Sequence, residues 1–203
     1  MSRNKRGSLE QRAAGNSKLF GNPDVVILPS EKSEGQKTRK LVSSIIRSAW
    51  SAAQDWIVAW KSGVSELKTV VGELVGTQQG DHLDQQVHHA AQQLAEAIAK
   101  MKACVRTMDK LLEELQNLQR LQKSNAEQPL FSSLTLQQMV SVMECVCDDY
   151  RKETEVKAGA CTPLPSTSCP DTLNTLVTLW THHTHVVTHQ YPLKLLLRET
   201  QQL

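Results

Sequence analysis

Four of the seven histidines in this 203-residue chain fall within "HHTHVVTH", residues 182–189. His185 and His189 are four apart, so on a helix their imidazoles share a face and could grip one Zn²⁺. His183 stands two residues before His185, which suits a loop better than a helix. A catalytic zinc needs a third protein ligand, an open position and a general base. No HExxH occurs, and no carboxylate falls between Trp180 and Tyr191. The stretch therefore reads in two ways: a zinc-binding cluster over 182–189, or a His- and Thr-rich helix end with its turn.

The other reactive residue types offer less. Five cysteines without CxxC spacing fit reduced thiols better than a disulfide framework. Cys145 and Cys147, two apart in a helical stretch, point to different sides. Cys161 and Cys169 fall in a Pro-rich linker with no basic neighbour to favour a thiolate. Cys104 borders an apolar stripe and reads as a small apolar side chain. The nine glycines never assemble into a P-loop or a dinucleotide fingerprint. Glu113, Glu114, Asp148 and Asp149 sit on charged helix faces, the usual solvated arrangement. No catalytic residue, cofactor or resident metal is expected, and the chain reads as a non-enzyme.

What remains is apolar surface at helical spacing. Ile46, Trp50, Ala53, Ile57, Trp60, Val64, Leu67, Val71 and Leu74 recur in steps of four and three, which places them on one helical stripe. Trp56 is offset from that stripe and reads as a groove or partner contact, against the more frequent use of a helical tryptophan as core. After "GTQQGDHL" comes a second stripe of Val87, Ala91, Leu94, Ile98, Met101, Val105, Met108, Leu112 and Leu115. Two such helices predict a long antiparallel heptad hairpin over 40–122. Pro129 stops the second helix, and Thr135 with Gln138 has capping-box spacing for a third. Leu136, Met139, Met143, Val146 and Tyr150 give that helix its apolar face. "GACTPLPSTSCP" (159–170) reads as a linker, with Thr162-Pro163 as a minimal proline-directed phosphorylation dipeptide. Pro170 and Asp171 open a fourth, shorter helix through Trp180, and a last segment is expected around Leu193–Thr200. The class is all-α, with C-terminal helices within 134–200.

Residues 1–37 differ in kind. Arg3, Lys5, Arg6, Arg12 and Lys18 stand among Gly, Asn and Ser without apolar periodicity, and that composition predicts a flexible, disordered basic tail. The helical domain is then 38–203. Within the tail, Pro23–Pro29 encloses an apolar island suited to adding to a partner as a strand or to packing back on the body. Overall charge is +2, from 23 basic and 21 acidic side chains. Direct nucleic-acid binding is therefore not expected of the chain as a whole and would have to act through the tail. No secretory h-region follows the basic start, and the aliphatic runs Val25–Leu28 and Leu195–Leu197 are too short to span a bilayer. A membrane association is not expected.

Pro129-Leu130-Phe131, followed after eighteen residues by Tyr150-Arg151-Lys152-Glu153, resembles the cyclin-dependent kinase 2-interacting protein family (CINP), whose members carry "PLF" and "YRKE" at this separation. "PDTLNTLVTLWTHHTHV" is similar to the family's Pro-Asp, alternating leucines and Trp-x-His, here Pro170, Asp171, Leu176, Trp180 and His182. His183, His185 and His189 have no counterpart in that pattern. "AAQDWIVAWK" (52–61) resembles the family's first helix, with a different tryptophan spacing. The resemblance runs from about residue 38 to the C-terminus and is most specific in the second half. It implies a non-catalytic nuclear adaptor, present also in the cytoplasm. The implied partners are AAA+ ATPase subunits, cyclin-dependent and replication-initiating kinases, and the partner of a checkpoint kinase. The implied processes are DNA replication in the cell cycle, the DNA-damage response and ribosome-subunit maturation. Trp56, Phe131, Tyr150, Arg151, Lys152, Trp180 and His182 are the partner-binding candidates.

Overall fold

The computed structural model describes residues 29–76, 80–122, 128–161, 170–186 and 190–201. They form five α-helices: α1 Pro29–Gly76, α2 Gly80–Leu121, α3 Leu136–Cys161, α4 Pro170–Thr181 and α5 Gln190–Gln201. No strand occurs among the described residues, only an isolated antiparallel bridge between Pro129 and Thr135. The fold class is all-α, as the periodicity requires.

Helix boundaries follow local chemistry. α1 begins at Pro29, so residues 29–37, expected as tail, are helical. Proline suits a first helical turn because the N–H it lacks would have no partner there, and its φ is already helical. The capping box predicted for α3 is present in both directions. The Gln138 amide donates to Thr135 Oγ1 at 3.2 Å, and the Thr135 amide donates to Gln138 Oε1 at 2.9 Å. α3 runs on to Cys161, three residues into the expected linker. Pro170 opens α4 as expected, and Pro192 lies within the first turn of α5.

The helices close a ring. α1 packs on α2, α2 on α3, and α4 and α5 each pack on both α1 and α3. Gln122, just past α2, donates to the Thr38 hydroxyl early in α1 (2.9 Å), and Cys104 feels the charge of Asp55, so α1 and α2 run antiparallel. Ser43 Oγ near the start of α1 donates to the carbonyl of Thr200 in α5, whereas Trp60 Nε1 donates to the carbonyl of Trp180 in α4. α4 and α5 therefore lie end to end along α1 and jointly fill the place of a fourth bundle helix. Lengths agree: the 26 residues of α3 span ~39 Å, and the two 12-residue helices together span ~36 Å.

This arrangement explains why the buried face of α1 is wider than its predicted stripe. Besides Ile46, Ala53, Ile57 and Leu67, it buries Val42, Ile45, Ala49, Ala52, Trp56, Ala59 and Val70. A helix touched by α2 on one side and by α4 and α5 on another needs an apolar arc, not a seam. Three leucine- and valine-poor positions on α1 are alanines (49, 52 and 53), where small side chains let neighbouring helices come close.

Candidate functional site

Tyr150-Arg151-Lys152-Glu153 lies on α3, where it meets most of the other elements. The stripe that starts at Leu136, Met139, Met143, Val146 and Tyr150 continues in steps of three and four to Glu153 and Lys157. All seven side chains are buried. A carboxylate and an ammonium thus occupy the next two core positions. Nζ of Lys157 lies 2.8 Å from Glu153 Oε1, and both side chains are fully inaccessible to solvent.

Each member of this pair is hydrogen-bonded to capacity. Lys157 also donates to the carbonyls of Leu179 and His182, which are left open at the end of α4. Three donors meet three acceptors, and a cation sits at the negative end of the helix dipole. Glu153 Oε2 accepts from the amides of Thr184 (2.9 Å) and His185 (2.8 Å) and from the Thr184 hydroxyl (3.2 Å). His183 Nδ1 lies 3.4 Å from Oε1. An ionised carboxylate only accepts, so that nitrogen carries the proton. Burial acts to raise the Glu153 carboxyl, but the hydrogen bonds from His183, Lys157 and the His185 amide outweigh it. The pKa is held well below the ordinary carboxylate range.

Aromatic side chains surround this polar centre. Trp56 and Tyr150 meet edge to face at 5.1 Å, and Trp56 Nε1 donates to Thr154 Oγ1 at 2.8 Å. The His183 ring lies 4.2 Å from Trp60 and 5.8 Å from Trp56. Trp180 is fully buried, and its Nε1 donates to Cys161 Sγ at 3.1 Å. The Trp180 six-membered ring occupies the space that a Cβ at position 63 would need, so that position on α1 is glycine.

A second carboxylate does for the "PLF" loop what Glu153 does for the histidine turn. Glu199 of α5 is buried and accepts from the Ser133 amide, the Ser133 hydroxyl (3.1 Å) and the Leu134 amide (3.1 Å). Burial opposes ionisation, but these donors, together with the Ser132 amide, lower its pKa. Leu130 closes the loop by donating to the Leu134 carbonyl at 2.9 Å, and Phe131 packs half-buried against the core.

The partner-binding candidates therefore divide. Trp56, Tyr150 and Trp180 are at most 1% exposed. They are core residues, and the reading of Trp56 as a groove or partner contact is corrected. Its offset from the first stripe faces it toward α3. Arg151 bridges Asp109 of α2 (2.7 Å) and Asp148 (3.2 Å), and Lys152 pairs with Asp148 (2.6 Å), all half-exposed. His182 is exposed on its ring and acts through its backbone, whereas His183, which had no counterpart in the family pattern, is packed.

Among the described residues no group of three or more His, Cys, Asp or Glu side chains is placed to hold a metal. His189, residues 23–28 of the apolar island, Thr162 and Cys169 lie outside the described residues. Burial pushes the Cys147 thiol up to about 12, with Asp109 adding to it, and pushes the Cys161 thiol up to about 11. Cys161 is the last residue of α3 and not a linker residue. Glu153, Lys157, Glu199 and Gly63 were not among the sequence candidates. The legible signal for the first two was charge at consecutive stripe positions with i,i+4 spacing.

The opposite face of the α1/α2 pair is open. A cavity of about 370 Å³ lies between the two helices there, lined by Asp55, Val58 and Ser62 from α1 and by Glu96, Lys100 and Cys104 from α2, among others. Val58 is 66% exposed. No described helix is long and apolar enough to cross a membrane. Comparison with protein-family models and with curated proteins gives no match.

Proposed function

We propose that this protein is a non-catalytic helical adaptor of the kind the CINP resemblance implies. In this reading it acts in the nucleus as a subunit of an AAA+ ATPase complex. It also partners cyclin-dependent, replication-initiating and checkpoint kinases, in DNA replication, genome maintenance and ribosome-subunit maturation. The observation that carries the reading is the use made of the charged and aromatic residues that sequence reasoning could have given to chemistry. Glu153, Lys157, His183, Trp56 and Trp180 all contact other elements of the same chain. The α1/α2 pair meanwhile leaves a long face to solvent. A helical bundle with apolar side chains such as Val58 left exposed between α1 and α2 offers a surface for assembly.

Affinity purification of the full chain from native cells, with mass spectrometry, tests this reading. Stoichiometric AAA+ ATPase subunits or kinases are expected. Loss of those partners on charge reversal along the exposed flanks of α1 and α2, with melting unchanged, is the second expected result. A chain that captures no defined partner, or that turns over a substrate alone, sinks the reading.

A further inference from the structure

The groove on the open face has a composition that selects its occupant. Its floor is apolar: Ala59 and Ala97 are nearly buried between the helices, and Val58 and half-buried Cys104 border them. Alanines at these two positions leave room for a third backbone to approach. Asp55, Glu96 and Lys100 stand around that floor. Among the described residues none of the three forms an ion pair. Two acids and one base give a net acidic rim to a small apolar centre. None of the residues lining the groove comes from α3, α4 or α5.

We propose that this groove seats one amphipathic α-helix of a partner protein. An aliphatic ridge on that helix meets Val58, Ala59 and Ala97, and cationic residues flanking the ridge meet Asp55 and Glu96. The proposal rests on the adaptor reading and names its docking surface. A helix fits because the groove runs between two antiparallel helices, so a third can extend the same side-chain interdigitation with anchors at i, i+3, i+4 and i+7. Cations on the partner follow from the unpaired acids. A second copy of this chain would bring four acids and only two Lys100 side chains to the shared rim, a poorer charge match than a cationic helix. Cys104, within the groove and within the field of Asp55, reports its occupancy.

The test uses the full chain and two synthetic helical peptides with the same leucine ridge, one flanked by lysines and one by glutamates. Binding is read by fluorescence anisotropy, and groove occupancy by the alkylation rate of Cys104 resolved by mass spectrometry. The lysine-flanked peptide is expected to bind on the order of tenfold tighter than its counterpart. It should slow Cys104 alkylation and leave exposed Cys145 unaffected. Asp55→Lys with Glu96→Lys should invert the preference, and Val58→Glu, at an exposed position, should weaken both peptides with melting unchanged. Equal affinity, or a Cys104 that stays reactive with peptide bound, overturns the proposal. So does a dimer in sedimentation that shields Cys104 without peptide, or a rise in Cys104 reactivity when residues 1–28 are removed. If the Asp55→Lys/Glu96→Lys chain retains every partner captured by the wild type, the groove assignment fails while the adaptor reading stands. If the wild type captures none, the adaptor reading itself fails.

Discussion

Lys157 and Glu153, one helical turn apart on α3, form a fully buried ion pair 2.8 Å long whose remaining hydrogen bonds all go to the end of α4 and the turn after it. A pair of this kind adds little over an apolar replacement, because desolvation of two charges offsets their attraction. Removing one partner is a different matter, since it strands the other charge in the core. Lys157→Met should therefore cost about 3–5 kcal/mol in urea unfolding. Glu153→Gln should cost a comparable amount, because it strands the Lys157 ammonium and turns an NH2 donor toward groups that are themselves donors. A Lys157→Met loss below about 1 kcal/mol would contradict the buried geometry.

Glu153 and Glu199 make a joint prediction about pH. Both carboxyls have pKa values lowered from the ordinary 4.5 in the folded chain. Such a group stabilises the fold fully above its unfolded-state value, and that contribution is lost as pH falls through the folded-state value. Stability should thus fall as pH drops from about 5 towards 2. Glu199→Gln and Glu153→Gln should each flatten that slope while lowering stability at neutral pH. Thermal melts of the three proteins across this range decide it. An unchanged slope in both variants would mean that the two carboxylates are not ionised against the loop amides.

Gly63 and Trp180 should be strongly coupled. The Gly63→Ala methyl meets a rigid indole ring, so overpacking should cost about 1–3 kcal/mol. Trp180→Leu removes the ring and should cost at least as much alone. Combined, the two should be less than additive, because the leucine vacates the space that the new methyl needs. Strict additivity would show that α4 does not sit against Gly63.

Cys145 and Cys147 provide a check on the face that α3 presents. Cys145 is exposed, whereas Cys147 is 1% exposed with its thiol pushed up to about 12. In native buffer a maleimide should label Cys145 within minutes, and Cys147 only on unfolding. Comparable labelling of both would place α3 with the wrong face inward.

Much of this architecture was legible without coordinates. The steps of three and four through Ile46–Leu67 and Val87–Leu115 determined two long helices, because only a helix brings those positions to one side. Thr135 with Gln138, and Pro170, set element starts through local chemistry, whereas α2 ends at Leu121, eight residues before the Pro129 expected to stop it. These features depend on neighbours in sequence. What the pattern could not assign was the partner of each buried face. Trp56 reads as a surface outlier when only one stripe is considered and becomes the centre of the core once α3 lies beside it.

The same distinction decides the histidine stretch and the "YRKE" segment. Residue types and spacing alone left "HHTHVVTH" open between a ligand set and a turn. The tertiary structure gives His183 to two tryptophans and gives the amides of Thr184 and His185 to Glu153, thirty-one and thirty-two residues earlier. Sequence determined which stretches are helical and where they carry apolar surface, since those properties are set within a few turns of chain, although α1 begins earlier and α3 ends later than the pattern predicts. Only the tertiary structure determined which charges are buried, because desolvation and satisfaction of a carboxylate depend on donors brought from distant segments.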